Sequence, residues 1–217
     1  MQGMSQAGIM EAILMRVNII GCGPGWIDCP EDQGENWAIN DLQLSKKVDL
    51  VVDCHNLARA ARGAEKLGRR TAEDVKKCIK GAKKSGVPFY TTKKIKDMPG
   101  VVVYPLEKII EEFDSDYFGS GVDYAIALAI YKGYTEIHLW GILMILKFEY
   151  AHQKPSVEHW LGIAKGRKIK TVVHGQGSSI LKTRNGLLYG YNTIQKIISE
   201  QNPEFTIQDG LLRKAEY

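Results

Sequence analysis

Short apolar runs rich in Val, Ile and Leu alternate along this chain with longer stretches whose apolar positions recur every three or four residues. The short runs read as strands: RVNII (16–20), NWAIN (36–40), VDLVVDC (48–54), VPFYTT (87–92), VVVYP (101–105), TEIHLWG (135–141) and IKTVVHG (169–175). Several are apolar almost throughout, as strands buried on both faces are. The longer stretches predict helices over 71–86, 106–113, 119–134 and 155–168. Thr71 can cap the first, with Glu73 and Asp74 in its first turn and Gly86 at its end. In GSGVDYAIALAIYKGY, Ser120 can cap and Asp123 stands at the capping-box position. Val122, Ala125, Ile126, Ala129 and Ile130 make that helix apolar nearly all round, so it should be deeply packed. Pro155 suits the first turn of the fourth helix. Strands alternating with helices predict an α/β fold with a mostly parallel sheet.

Composition narrows the class. The 217 residues are 44% hydrophobic and 25% charged, enough for one sizeable core. Residues 1–15 read as an N-terminal extension or peripheral helix and 16–217 as a single domain; Met15 would make an equally natural start. A net charge of +4, from 29 basic and 25 acidic residues, is too mild for a nucleic-acid binder. The lysines of KKCIKGAKKSG and TTKKIK read as a solvated helix face and its loop. Cys22, Cys29, Cys54 and Cys78 form no CxxC pair and no zinc spacing, so they read as free thiols of a cytoplasmic protein. No apolar run reaches the ~18 residues of a membrane span. The opening MQGMSQAGIMEAILM has no basic stretch of a signal peptide.

Four groups of residues can carry chemistry. GCGPGW, Gly21 to Trp26, follows the first strand, where open α/β sheets bind phosphate. It is not G-x-G-x-x-G, it lacks the Lys-Ser/Thr of a P-loop, and Pro24 removes an N–H, so a plain turn and a ligand loop both fit. Gly119-Ser120-Gly121 opens a helix and offers N–H groups at the positive end of its dipole; a tightly packed cap fits equally. Asn40, Asp41, Asp53, His55 and Asn56 stand at strand ends, of which Asn40 is the favoured site residue. Glu149, Tyr150, His152, Gln153 and Lys154 cluster before a helix, and His152 can act as a general base near neutral pH. His138 and His159 read as structural, His174 and Gln176 as second-tier site residues. Trp26, Trp37 and the LLYGYN tail suit a subunit interface of a homo-oligomer, or a lid.

Taken in order, VNIIGCGPGW, WAIN, VDLVVDCHN and FGSGVDYAIALAIYKGYTEIHLWGI resemble a Rossmann-like superfamily. It holds the MptE-like 6-hydroxymethylpterin diphosphokinase domain and the bacterial sialyltransferases of glycosyltransferase family 42. The likeness spans about residues 16–175, is concentrated in 119–141, and extends to small phage proteins. It implies a Rossmann-like three-layer sandwich that binds a nucleotide or nucleotide sugar. Gly21, Gly23, Pro24 and Gly25 would form the nucleotide-phosphate turn, Asn40 and Asp53 would face the nucleotide, and Gly119, Ser120 and Gly121 would hold phosphate or ribose. His152 would deprotonate an acceptor hydroxyl, and His152 and Asp123 are the candidate catalytic residues. Diphosphate transfer from ATP would use Mg²⁺, with Asp53, Asp123 and Glu149 as the available carboxylates; glycosyl transfer would need a base and no metal. Three features depart from the pattern. Gly25 replaces a serine, Leu143 in GILM replaces an aspartate, and no insertion is present for a mobile lid. They leave a second expectation beside group transfer: a non-catalytic nucleotide-binding protein, for instance a phage protein that sequesters a nucleotide signal.

Overall fold

The computed structural model describes residues 15–63, 70–95, 100–145, 149–175, 177–183, 188, 205–208 and 211–214. Seven strands form one all-parallel sheet: β1 (Arg16–Ile20), β2 (Glu35–Ile39), β3 (Leu50–Val52), β4 (Phe89–Thr91), β5 (Val101–Val103), β6 (Glu136–Trp140) and β7 (Lys170–Val173). Their spatial order is β5-β4-β3-β2-β1-β6-β7. The chain runs outward from β1 to β5, then crosses back to place β6 on the other side of β1. The strand order therefore reverses between β1 and β6. Two further strands, β8 (Phe205–Gln208) and β9 (Leu211–Lys214), pair antiparallel.

Helices cover both faces. Val17 and Ile19 of β1, Trp37 and Ile39 of β2 and Ile137 and Leu139 of β6 point into one core. That core is closed by α3 (Leu106–Phe113), α4 (Gly121–Tyr131) and α5 (Glu149–Gly166). Ile20, Ala38, Val51 and Phe89 face the other side, under α1 (Leu57–Ala60) and α2 (Ala72–Ser85). Period-two alternation along each strand thus feeds two apolar cores, so no polar face is left to alternate with them. This is a three-layer α/β sandwich.

Caps fall where the side chains require them. Thr71 and Asp74 form a capping box on α2, which ends at Gly86 with φ 69°. Ser120 and Asp123 do the same for α4, whose residues 125–130 are all buried. Two expectations need correction. α5 begins at Glu149, with Pro155 inside it rather than in its first turn. The carbonyl that loses its donor belongs to Ala151, an exposed residue that water can serve. Trp37 is fully buried, packed edge-on against Tyr134 with its Nε1–H on Glu35, so it faces no interface. Most of LLYGYN, Gln176, residues 1–14 and the side chains of Glu149 and Tyr150 lie outside the described residues.

Candidate functional site

A cavity of about 620 Å³ opens at the carboxyl ends of the strands. Its walls come from Gly21–Pro24 after β1, Ile39 at the end of β2 and Asn40 after it, His55 after β3, Gly141–Ile145 after β6, the α4 start Gly119–Val122, and Gln153 of α5. This is the crevice that a reversal of strand order creates in a parallel sheet.

The first glycine turn is shaped by its neighbour. Gly21 N–H donates to the Trp140 carbonyl at 2.8 Å and Gly23 N–H to the Gly141 carbonyl at 2.9 Å. A Cβ on Gly23 would lie 2.6 Å from Gly141 O, and one on Gly141, at φ 62°, would lie 2.6 Å from the carbonyls of Gly21 and Gly23. These glycines let two loops meet backbone to backbone. Their N–H groups are already engaged, so the anion-cradling role expected for them does not follow from their geometry. No helix follows this turn; the chain passes through a loop to β2. Gly25 does not line the cavity and sits beside Gly175 instead.

The second turn is held by its own helix. Asp123 is fully buried, and its Oδ2 accepts from Gly119 N–H at 2.8 Å, Ser120 N–H at 2.9 Å and the Ser156 hydroxyl at 2.5 Å. Burial raises its carboxyl above the usual range, against the pull of those donors. Asp123 is not on the cavity wall; it fixes the loop that is. The Ser120 hydroxyl takes the Asp123 N–H. Gly121 and Val122 remain as first-turn N–H groups without an intrahelical acceptor, at the positive end of α4 and on the wall.

Asn40 leaves β2 in the left-handed region at φ 60°, a conformation asparagine tolerates. Its side-chain oxygen is buried beside Gly121 and has no hydrogen-bond partner. Asp53 is fully buried beneath the wall. Its Oδ1 contacts His55 Nδ1 at 2.6 Å and its Oδ2 accepts from Arg70 at 2.8 Å, so only His55 reaches the cavity. His152 is exposed on α5 and off the wall, while its neighbour Gln153 lines it. Leu143 lines the wall, and its carbonyl accepts from Ser179 N–H at 2.8 Å. His174 stacks on Trp140 and bonds His138 at 2.9 Å, outside the cavity wall.

The structure therefore gathers Gly21, Gly23, Pro24, Asn40, Gly119, Ser120 and Gly121 around one space, and leaves Gly25, Asp53, Asp123 and His152 off its wall. The sequence pattern favours His152 over its neighbour Gln153 and marks the Gly141–Ile145 loop only at Leu143, through the resemblance. Gln153 is obscured when Pro155 is read as a helix start. The loop carries one usable sign, a glycine directly after an apolar strand. Among the described residues the wall carries no carboxylate, and no group of three metal-ligating side chains is placed to hold a metal. No described helix is long and apolar enough to cross a membrane.

Fold and cavity together define a Rossmann-like α/β protein with a crevice at its switch point. No protein-family model matches the chain, and no curated protein does either. Among solved structures it is similar to the monofunctional alpha-2,3-sialyltransferase Cst-I from Campylobacter jejuni, at 16% identity over 81% of each chain with a TM-score of 0.50. It is also similar to the sialyltransferase CstII from the same organism, solved with the substrate analogue CMP-3FNeuAc. There the identity is 18%, over 76% of this chain and 81% of that one, with a TM-score of 0.48. At these identities the likeness is one of fold.

Proposed function

We propose that the cavity binds a nucleotide-activated sugar and supports transfer of its glycosyl group to an acceptor hydroxyl. The observation that carries this reading is the convergence at the sheet's switch point. An open helix N-terminus and the Asn40 side chain border one space of about 620 Å³. The first suits phosphate. The second suits a donor on a base or ribose. Among the described residues the wall carries no carboxylate to repel a phosphorylated ligand, and none to hold the Mg²⁺ that diphosphate transfer from ATP would use, so we derive no step through one.

A second reading, a nucleotide-binding protein without turnover, is favoured by one feature. Leu143 puts an apolar side chain on the wall where the resemblance implies an acid. A thermal-shift screen of nucleotides and nucleotide sugars, followed by mass analysis of the recovered ligand, separates the two. Ligand at 100 times its dissociation constant adds ~2.7 kcal/mol of stability. A shift with free nucleotide released from the sugar supports transfer or hydrolysis. A shift with ligand recovered intact supports the binder, and no shift with any of them overturns both.

A further inference from the structure

We propose that His55 is the proton acceptor of this cavity, held in its working tautomer by Asp53. The inference rests on the glycosyl-transfer reading above. Of the chain's five histidines, His55 alone lines the cavity. His138 and His174 are bonded to each other, His159 is bonded to Ser115, and His152 is exposed on α5.

The sequence Asp53-Cys54-His55 leaves the end of β3, and both flanks are anchored. Asp53 N–H donates to Tyr90 O, and Asn56 caps α1 by accepting from Arg59 N–H. Asp53 Oδ1 lies 2.6 Å from His55 Nδ1. Asp53 Oδ2 is occupied by Arg70, whose Nε lies 3.9 Å from Asp41. A carboxylate offers only acceptor atoms. A proton shared with it therefore sits on Nδ1, the tautomer in which Nε2 of a neutral imidazole keeps its lone pair. The His55 side chain is 38% exposed and lines the cavity. A buried carboxylate that orients an imidazole recurs among enzymes that need a general base.

The acceptor hydroxyl gives its proton to His55 Nε2 as its oxygen bonds to the anomeric carbon. The bond from that carbon to the phosphate oxygen breaks, and its electron pair leaves with the nucleotide. The imidazolium, stabilised by Asp53, returns its proton to water after the products depart.

The test compares H55Q, H55A, D53N and H152Q, with H159Q as control, in nucleotide-sugar turnover and in nucleotide binding. His55 as base predicts that H55Q binds nucleotide within threefold of wild type and loses at least 100-fold in kcat. Added imidazole should restore part of the H55A loss, and D53N should move the acid limb of the kcat–pH profile. H159Q should match wild type. An H55Q variant within threefold of wild type in kcat overturns the inference and leaves the transfer reading standing. So does a loss in H152Q that equals or exceeds that of H55Q. A wild-type protein that binds but turns nothing over removes transfer and base together. Independently of turnover, ¹⁵N spectra should show His55 protonated at Nδ1; protonation at Nε2 alone overturns the inference.

Discussion

Two glycine turns border the same cavity and are built on opposite logic. The turn at 21–25 is clamped from outside, by the carbonyls at the end of β6. The turn at 119–121 is clamped from inside, by a carboxylate one turn into its own helix. Both use two N–H groups to hold themselves in place. Only the second leaves N–H groups, those of Gly121 and Val122, open at a helix start. In the sequence they look alike, and glycine content says nothing of which N–H groups a fold leaves over. Geometry decides this, because a parallel strand next door can claim donors that a Rossmann-type helix would otherwise present.

The largest expected effect comes from breaking the outer clamp. Gly141→Ala forces a Cβ to 2.6 Å from two carbonyls at a left-handed φ. Strain and overpacking together should cost roughly 3–5 kcal/mol. Gly23→Ala forces a Cβ to 2.6 Å from the Gly141 carbonyl and should cost nearly as much. Urea denaturation measures both, and a loss under about 1 kcal/mol would show that the two loops separate easily and that no outer clamp operates.

The inner clamp should be weaker but coupled. Asp123→Ala strands two backbone N–H groups, while the Ser156 hydroxyl keeps the Gln153 carbonyl as acceptor, at about 3 kcal/mol; Ser156→Ala should cost about 1. A double-mutant cycle between them should give a coupling of at least ~0.5 kcal/mol. Additivity would mean that the serine does not help hold the carboxylate.

Gly121→Ala sharpens the contrast from the ligand's side. Its Cβ would touch only Ile39 at 3.3 Å and the Asn40 oxygen at 3.8 Å, so folding stability should change by less than about 1 kcal/mol. The methyl nevertheless projects where the wall is open, so nucleotide affinity should fall tenfold or more, ~1.4 kcal/mol. Calorimetric titration checks it, and unchanged affinity would place the ligand elsewhere.

The layered sheet was legible because strands buried on both faces leave continuous apolar runs. The caps at Thr71 and Ser120 were legible because capping is a local reaction between residues three apart. The strand ends gave away the membership of the cavity wall at Asn40 and both glycine turns, since an α/β sheet has only one such edge. What each residue does there was not local. Nothing in GCGPGW reveals that Trp140 and Gly141, more than a hundred positions on, take its donors. Nothing near His55 shows Arg70 reaching Asp53 from the opposite side. Pro155 misled because a rule about helix starts met a proline whose orphaned carbonyl is at the surface.

The effect that separates the two turns most directly is their response to acid. Trp140, whose carbonyl holds Gly21, stacks at 3.5 Å on His174. Burial, then the charges of His138 and Arg16, lower the His174 imidazole to about 4. The unfolded imidazole takes its proton near ~6.5. The contribution of His174 is therefore complete above that value and drains away as pH falls toward 4. Asp123 runs the other way. Its folded carboxyl is raised by burial, so its contribution is complete below the ordinary value of ~3.9 and is lost as pH rises through the folded one. Wild type should lose stability between pH 6.5 and 4.5, H174Q should lose less over that window, and D123N should lose more. Denaturation curves at four or five pH values suffice. Parallel slopes in all three proteins would show that neither group titrates differently in the folded chain, and the inner and outer clamps would then differ in geometry but not in electrostatics.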